Sequence, residues 1–408
     1  MSSRITIIGA GPIGLEAALF AAQNGFEVSV LERGHVADNV RAWGHVRLFS
    51  PFAMNISPWG RVALEESGYA KIPADNALLT GSEFAEHYLI PLSQHSRLVG
   101  VVRENTEVTA IGRADCWKGD LAGASRQESP FRILVRSQKG EELIESDFVL
   151  DCSGTYPNHN WLGAGGIPCP GETENQQQLI WALPDVAGSS RERFRGKRTL
   201  VVGSGYSAAT MVVALADLAH ESPGTTAVWL TRSSRKLPIE ELLGDQLTDR
   251  AELTRRANGL AAGQGGAVEW SPDSVVQSLE KTAAGFRVTV ETKANGDCRH
   301  ERLCVDEIVA QVGYRPDRSL YEELQVHECY ATQGPIKLAA ALLGESSNDC
   351  LTQTCPGPET LTNPEPGFFI LGAKSYGRSS QFLLRVGIEQ IENIFSLIAK
   401  CSPKKTYA

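Results

Sequence analysis

Two segments of the chain repeat one succession of apolar and polar positions. In each segment a short β-branched run is followed by a glycine-rich turn, a run of helix formers and a second short apolar run. The apolar runs lie at residues 5–8, 15–22 and 26–31 in the first segment and at 199–202, 211–218 and 227–230 in the second. This order predicts a strand, a helix and a second parallel strand in each segment. The pattern is therefore typical of an α/β protein built from two similar units.

The glycine turn of the first segment reads GAGPIG, from Gly9 to Gly14. Gly9 permits the tight turn, Gly11 lets a pyrophosphate approach the backbone, and Gly14 lets the helix and the strand pack closely. A pyrophosphate would then lie at the unpaired amides of the helix N-terminus. Glu32 ends the second strand, where its carboxylate can accept hydrogen bonds from ribose hydroxyls. The segment predicts a dinucleotide site whose acid excludes a 2′-phosphate.

The second glycine turn, residues 203–208, reads GSGYSA, and alanine is allowed at its third position. The position that matches Glu32 is Thr231, and Arg232 follows it. A carboxylate about 4 Å from a ribose phosphate would cost on the order of 4 kcal/mol per unit charge at an effective dielectric near 20. An arginine pairs with phosphate through parallel hydrogen bonds instead. This turn favours NADPH over NADH, with the alternative that Arg232 and Arg235 are solvated surface residues.

Opposite ribose preferences at the two turns indicate two different nucleotides. One would be kept as a prosthetic group and the other would deliver hydride. The pair that fits is FAD at the first turn and NADPH at the second.

Composition excludes several other classes of protein. The 408 residues carry a net charge of −9 with scattered basic residues, so no nucleic-acid or anionic-membrane partner is expected. No apolar run reaches the roughly 18 residues of a membrane span. A strand starting at Ile5 leaves no room for a signal peptide, and nine cysteines are expected to be reduced thiols, so a cytoplasmic location is predicted. Neither cysteines nor histidines show a metal-ligand spacing such as C-x2-C, and no metal site is predicted.

Together these motifs resemble the two-dinucleotide-binding-domain flavoproteins, a superfamily that includes flavin-containing monooxygenases and pyridine nucleotide-disulfide reductases. Four further segments carry the resemblance over nearly the whole chain: residues 148–155 (the strand and turn closing the first FAD segment), 194–208 (the NADPH turn of the monooxygenase branch), 306–316 (the exit strand back into the FAD domain) and 367–373 (the last FAD strand, before a helix at 381–399). The resemblance implies two Rossmann-like, three-layer domains, with the NADPH domain inserted into a discontinuous FAD domain. The implied domains are residues 1–165 and 301–400 for FAD and 166–300 for NADPH.

The resemblance also implies the cofactor-binding residues. Those for FAD are Gly9, Gly11, Pro12, Gly14, Glu32, Arg33, Trp43, Gly154, Gly372 and Ala373. Those for NADPH are Gly203, Gly205, Tyr206, Ser207, Ala208 and Arg232. The helix at 381–399 would direct its N-terminus at the flavin pyrimidine. Further candidates near the flavin are His45, Arg47 and Asn55 in the loop 41–55, then Tyr156, Asn158 and His159, and finally Lys374 and Arg378. A purely structural role for His45 is an alternative, and no residue is assigned as catalytic.

Three departures from the superfamily's sequence patterns restrict the reactions that are expected of this chain. Closely spaced cysteines are missing near both glycine turns, and Cys350 and Cys355, the nearest pair, stand in a Ser/Asn/Pro-rich stretch typical of a surface loop. No histidine follows His327, so the base of glutathione-reductase-like enzymes is missing too. The monooxygenase fingerprint F-x-G-x-x-x-H is absent before the second turn, which argues against Baeyer–Villiger chemistry. The usual Gly-Asp of the last FAD strand reads Gly372-Ala373 here.

These observations predict an FAD-dependent, NADPH-oxidising enzyme. The favoured reaction is monooxygenation at a nitrogen or sulfur centre of a small molecule, with molecular oxygen as co-substrate. The alternatives are an NADPH-dependent flavin reductase or oxidase acting on a small acceptor or redox partner, and a redox-sensing flavoprotein without turnover. In the second half of the chain, residues 256–266 are rich in glycine and predict a flexible loop.

Overall fold

A computed structural model describes residues 2–120, 124–294, 297–344, 351 and 353–401. The strands are β1 (Arg4–Ile8), β2 (Glu27–Leu31), β3 (Val102–Arg103), β4 (Glu107–Arg113), β5 (Phe131–Ser137), β6 (Gly140–Ser146), β7 (Phe148–Asp151), β8 (Arg198–Val202), β9 (Thr226–Leu230), β10 (Val268–Ser271), β11 (Ser274–Thr282), β12 (Gly285–Ala294), β13 (Asp297–Val305), β14 (Glu307–Ala310) and β15 (Phe368–Ile370).

The α-helices are α1 (Pro12–Gln23), α2 (Asp38–Ala42), α3 (Pro58–Glu66), α4 (Gly81–Phe84), α5 (Ile90–Ser93), α6 (Ala124–Glu128), α7 (Arg191–Phe194), α8 (Tyr206–Glu221), α9 (Thr248–Ala261), α10 (Ile336–Gly344) and α11 (Leu384–Cys401). A π-helical turn at Ala85–Leu89 joins α4 to α5. The chain forms two compact units, Met1–Asn158 with Arg315–Ala408 and His159–Tyr314.

The first unit is built on a parallel five-stranded sheet in the order β15-β7-β1-β2-β3. Successive side chains of a strand point to opposite faces, so the apolar run of β1 serves two cores. Ile5 and Ile7 pack on the face covered by α1 and α11, whereas Ile8 packs toward the antiparallel sheet β4-β5-β6. Helices, parallel sheet and antiparallel sheet therefore form three layers.

The second unit repeats this arrangement. Its parallel sheet has the order β10-β9-β8-β14, and its antiparallel sheet has the order β11-β12-β13. Val201 and Trp229 pack on the face covered by α8, whereas Leu200 and Val228 pack toward β11–β13. The predicted α/β class with two Rossmann-like, three-layer domains is confirmed.

The segment 306–316, predicted as the exit strand back into the FAD domain, contributes β14 to the second unit. β14 pairs in parallel with β8, with Val309 opposite Val201. Residues 159–165 and 301–314, which the sequence analysis assigns to the FAD domain, accordingly lie in the second unit. Within the described residues, none of the helices combines the length and the apolar character that crossing a bilayer requires.

Candidate functional site

The first glycine turn joins β1 to α1 and leaves room only for glycine at two positions. Gly9 has a φ of 99°, and a Cβ there would lie 2.9 Å from the carbonyl oxygen of Cys152. A Cβ at Gly14 would lie 1.9 Å from the carbonyl oxygen of Gly9, far inside van der Waals contact. The turn, the start of α1 and the end of β7 therefore pack backbone against backbone.

Gly11 stands in a different environment, at the N-cap of α1. Its φ of −81° is open to any residue. An added Cβ would meet no atom within 4 Å. Pro12 occupies the first helical position, where its missing amide costs nothing. The first-turn amides of α1 therefore adjoin open space, which is the arrangement in which helix N-termini bind anions.

Glu32 directly follows β2, and its side chain points back to the first glycine turn. One carboxylate oxygen accepts a hydrogen bond of 2.7 Å from the amide of Ala10, and the other accepts one of 2.9 Å from the amide of Gly34. Because each oxygen keeps a second lone pair, the carboxylate can also accept ribose hydroxyls. The adjoining Arg33 is exposed.

A buried ion pair lies where β7 and β15 end. The ammonium of Lys374 is 2.6 Å from Asp151 Oδ2, and both side chains are fully buried. Lys374 Nζ also donates to Ser153 Oγ, and Asp151 Oδ1 accepts from the amide and the hydroxyl of Ser153. Asp151 directly precedes Cys152, whose carbonyl packs on Gly9, so the pair fixes the loop behind the glycine turn.

Gly154 and Gly372 lie in the loops that follow β7 and β15. Their φ values are 70° and 71°, in the region that favours glycine. The amide of Gly372 donates to Gln390 of α11 at 2.8 Å, and Ala373 is partly exposed. The position of the usual Asp is thus Ala373, and the next residue, Lys374, is buried.

Trp43, at the end of α2, carries an unused hydrogen-bond donor. Its indole Nε1 is enclosed and has no partner in the described part of the chain. The ring stacks against Tyr156 with centroids 6.4 Å apart. An enclosed indole without an acceptor is a cost that a bound ligand would relieve. In the same loop, Asn55 is tied to Ser50, and His45 is exposed.

The remaining candidates near the flavin serve structural contacts. Asn158 donates to the carbonyl of Pro316, and Arg378 donates to Gln333. In the second unit, His159 stacks on Trp181 with ring centroids 3.4 Å apart. A polar cavity of about 480 Å³ adjoins Asn158, and none of the predicted cofactor-binding residues lines it.

Cys152 is a described cysteine that touches the first glycine turn. Desolvation, reinforced by the neighbouring carboxylate of Asp151, raises the pKa of its thiol well above the usual range. The side chain therefore stays a thiol at neutral pH and is a poor nucleophile. No disulfide joins the described cysteines, which include Cys355. Cys350 lies outside the described residues.

The second glycine turn, between β8 and α8, has the same geometry. Gly203 has a φ of 141°, and a Cβ there would lie 2.1 Å from the carbonyl oxygen of Gln311. Gly205 is the N-cap of α8, and a Cβ added there would meet no atom within 4 Å. Tyr206 and Ser207 begin the helix, and Ala208 is fully buried. This turn again places helix amides before an open space.

The end of β9 lacks the acid found at the end of β2. Thr231 is buried, and its hydroxyl accepts a hydrogen bond from the indole of Trp270. The next side chain, Arg232, is exposed, whereas Arg235 is 3.5 Å from the carboxylate of Glu240. Arg232 is thus an exposed cation directly after the position that matches Glu32.

Two buried polar groups were not predicted from the sequence. One is the pairing of Asp151 with Lys374, which was expected near the flavin. The other is Glu16 of α1, whose carboxylate accepts from Ser57 and Tyr88. Charged residues at apolar positions of β7 and α1 were the available signal. Their partners lie far away in the sequence, so only the fold identifies them.

Comparison with known proteins agrees with this geometry. Residues 6–117 match the family described as pyridine nucleotide-disulphide oxidoreductase. The bacillithiol disulfide reductase of Bacillus cereus has a similar structure, with a TM-score of 0.69, 16% identity, and coverage of 98% of this chain and 100% of its own. No curated protein sequence matches the chain.

Two monooxygenases are similar as well. The ornithine N-hydroxylase of Kutzneria sp. 744 has a TM-score of 0.64 and 17% identity, over 98% of this chain and 100% of its own. The cadaverine monooxygenase DfoA of Erwinia amylovora has a TM-score of 0.66 and 13% identity, over 100% of this chain and 97% of its own. These structures share the two-unit α/β fold of this chain. The predicted resemblance to the two-dinucleotide-binding-domain flavoproteins is confirmed.

Proposed function

We propose that this chain is an FAD-dependent oxidoreductase that oxidises NADPH and hydroxylates a nitrogen or sulfur centre of a small molecule. The observation that carries the proposal is the contrast between the two turns. Both offer the same open helix N-terminus, but Glu32 stands beside the first and Arg232 beside the second. A carboxylate selects an unphosphorylated ribose, and a guanidinium favours a 2′-phosphate.

The first unit would hold FAD. Gly11 and the amides of α1 would bind the pyrophosphate, and Glu32 would accept the adenosine ribose hydroxyls. Trp43 offers its unpaired indole donor to the cofactor or to its ligand, and Gly154, Gly372 and Ala373 would border the flavin. When bound, FAD accepts hydride from NADPH and supplies the activation of molecular oxygen.

The second unit would hold NADPH. Gly205 leaves the space for the pyrophosphate, and the start of α8, including Tyr206 and Ser207, supplies the amides. Arg232 would pair with the 2′-phosphate, because its exposed guanidinium follows a position where the first unit has an acid.

The choice of monooxygenation is supported by the sequence around both glycine turns, which has no closely spaced cysteine pair. Reduction of a disulfide by thiol exchange needs a thiolate as the nucleophile. The raised pKa of Cys152 opposes that role. Two proteins with a similar fold are named for hydroxylation of ornithine and monooxygenation of cadaverine, both amines. A nitrogen centre of a small amine is therefore the first substrate class to test.

A second candidate is an NADPH-dependent reductase acting on a small disulfide or another acceptor. The likeness to the bacillithiol disulfide reductase of Bacillus cereus and the family description of residues 6–117 favour it. This function needs no oxygen, so the reaction of the reduced protein with oxygen separates the two candidates.

The test is an anaerobic stopped-flow experiment. The purified yellow protein is reduced with NADPH and then mixed with oxygenated buffer, while flavin absorbance is recorded. Monooxygenation predicts a transient absorbing species between reduced and oxidised flavin, and product formation when a substrate amine or thioether is present. Direct, featureless reoxidation would contradict it and favour the reductase. Slow NADPH consumption that no acceptor stimulates would favour a redox sensor instead.

A further inference from the structure

The solvent-facing side of the antiparallel sheet in the second unit brings three different metal-ligand side chains together. Glu291 lies on the central strand β12, and Cys298 and His300 lie on the edge strand β13. The ladder places His300 directly opposite Glu291. Residues two apart on a strand share a face, so Cys298 points to the same side as His300. The fold thus gathers a carboxylate, a thiol and an imidazole.

Their ligand atoms are near the spacing that a zinc ion requires. The three atoms lie within 4.8 Å of one another, and His300 Nε2 is 4.0 Å from Glu291 Oε2. Zinc bonds of about 2.0–2.3 Å in a tetrahedral arrangement separate neighbouring ligand atoms by about 3.4–3.6 Å. The observed separations are longer than these, so binding would draw the three side chains together by rotation about their own bonds.

The carboxylate is already oriented by a second residue. Gln277 on β11 donates from Nε2 to Glu291 Oε2 at 2.9 Å. Carboxylates that bind metal ions are commonly held in position by a hydrogen bond of this kind from a neighbouring residue. Lys293 lies opposite Cys298 in the ladder. Its positive charge repels a cation and so reduces the affinity of the site. Glu291 and a Cys298 thiolate supply the two negative charges that balance a divalent ion.

We propose that Glu291, Cys298 and His300 bind a zinc-type divalent cation at the surface of the second unit, with water in the fourth position. Binding replaces the thiol proton of Cys298, which is released to solvent, by a metal–sulfur bond. The sequence predicts no metal site because the motif C-x-H lacks a second close pair in the chain. The cross-strand register supplies the third ligand.

Cobalt(II) titration of the chelator-treated full-length protein tests this site. Difference spectra against the metal-free protein should show a thiolate-to-cobalt charge-transfer band and tetrahedral d–d bands, which zinc then removes. Cys298→Ser should abolish the charge-transfer band, and His300→Ala should weaken cobalt binding at least tenfold. The matched control is Cys304→Ser, because Cys304 is a second exposed cysteine of β13, positioned opposite Arg287.

The control should leave the cobalt spectrum and affinity unchanged. Absence of a charge-transfer band in the original protein at excess cobalt would overturn the proposal. A band that persists in Cys298→Ser or disappears in Cys304→Ser would overturn it equally. The proposal does not depend on the flavin function, since the readout is metal binding alone.

Discussion

Replacing Gly11 by alanine separates folding from cofactor binding at the first turn. The backbone of Gly11 is extended, with φ −81° and ψ −172°, and alanine adopts it without strain. A new Cβ meets no protein atom within 4 Å, so it enters only the space assigned to the pyrophosphate. Gly11→Ala should therefore leave the apoprotein folded and reduce its affinity for FAD.

The expected magnitudes follow from these contacts. Replacing a glycine by alanine lowers the entropy of the unfolded chain and so stabilises the folded protein by about 0.4–1 kcal/mol. Alanine is a poorer N-cap than glycine, which destabilises the helix by about as much. The free energy of unfolding should therefore change by less than about 1 kcal/mol. A methyl group that displaces the pyrophosphate from the helix amides should weaken FAD binding at least tenfold, or about 1.4 kcal/mol.

Gly14→Ala is the matched comparison, because its Cβ would lie 1.9 Å from the carbonyl oxygen of Gly9. Overpacking of this kind costs about 1–3 kcal/mol or more, so this variant should lose stability itself. The assays are urea unfolding of both apoproteins and titration of each with FAD by flavin fluorescence. An unchanged FAD affinity in Gly11→Ala, together with normal folding, would refute the assignment of the pyrophosphate to this turn.

Three further predictions concern the charges around the two turns. Arg232→Glu should lower the ratio of kcat/KM for NADPH over NADH at least tenfold, and steady-state kinetics with an unchanged ratio would exclude Arg232 from the 2′-phosphate site. Lys374→Met should destabilise the protein by about 3–5 kcal/mol in urea, because it strands the buried Asp151 carboxylate, and adding Asp151→Asn should restore most of the loss. Burial raises the pKa of Glu16 above 4.5, against hydrogen bonds from Ser57 and Tyr88 that lower it. The folded state therefore holds this proton to higher pH than the unfolded state, and stability declines as pH rises from about 4.5 through the folded pKa. Glu16→Gln should remove that slope in urea titrations at several pH values, and a slope retained in the variant would contradict it.

Local patterns in the sequence were sufficient to predict the α/β core of both units. The β-branched runs became β1 and β8, and the helix formers became α1 and α8, because strand, turn and helix lie within one short stretch. The role of Gly14 could be inferred for the same reason, since it depends on a contact with Gly9, whereas the close contact of Gly9 with Cys152 joins residues far apart in the sequence.

Predictions that depended on distant partners were weaker. Residues 256–266 look like a flexible loop, yet the part up to Ala261 belongs to α9. Asn258 is buried there and exchanges hydrogen bonds with the backbone of Ile239, so a tertiary contact overrides the local glycine and polar content. Likewise, the apolar run at 307–310 does not show which strand it pairs with, because β8 lies about 100 residues earlier in the chain.

The candidate site shows the same division. Glu32 and Arg232 could be named from their positions after a second strand. The ion pair of Lys374 could not, because the carboxylate that Lys374 contacts lies on β7, more than 200 residues earlier. A buried pair of this kind has no local signature.

The central claim is that FAD occupies the first unit and NADPH the second. The most direct measurement identifies the flavin released from the purified protein and compares the anaerobic rates of flavin reduction by NADPH and NADH. We expect FAD, one per chain, and markedly faster reduction by NADPH at equal concentration. A protein that binds no FAD, or one that NADH reduces as fast as NADPH, would contradict it.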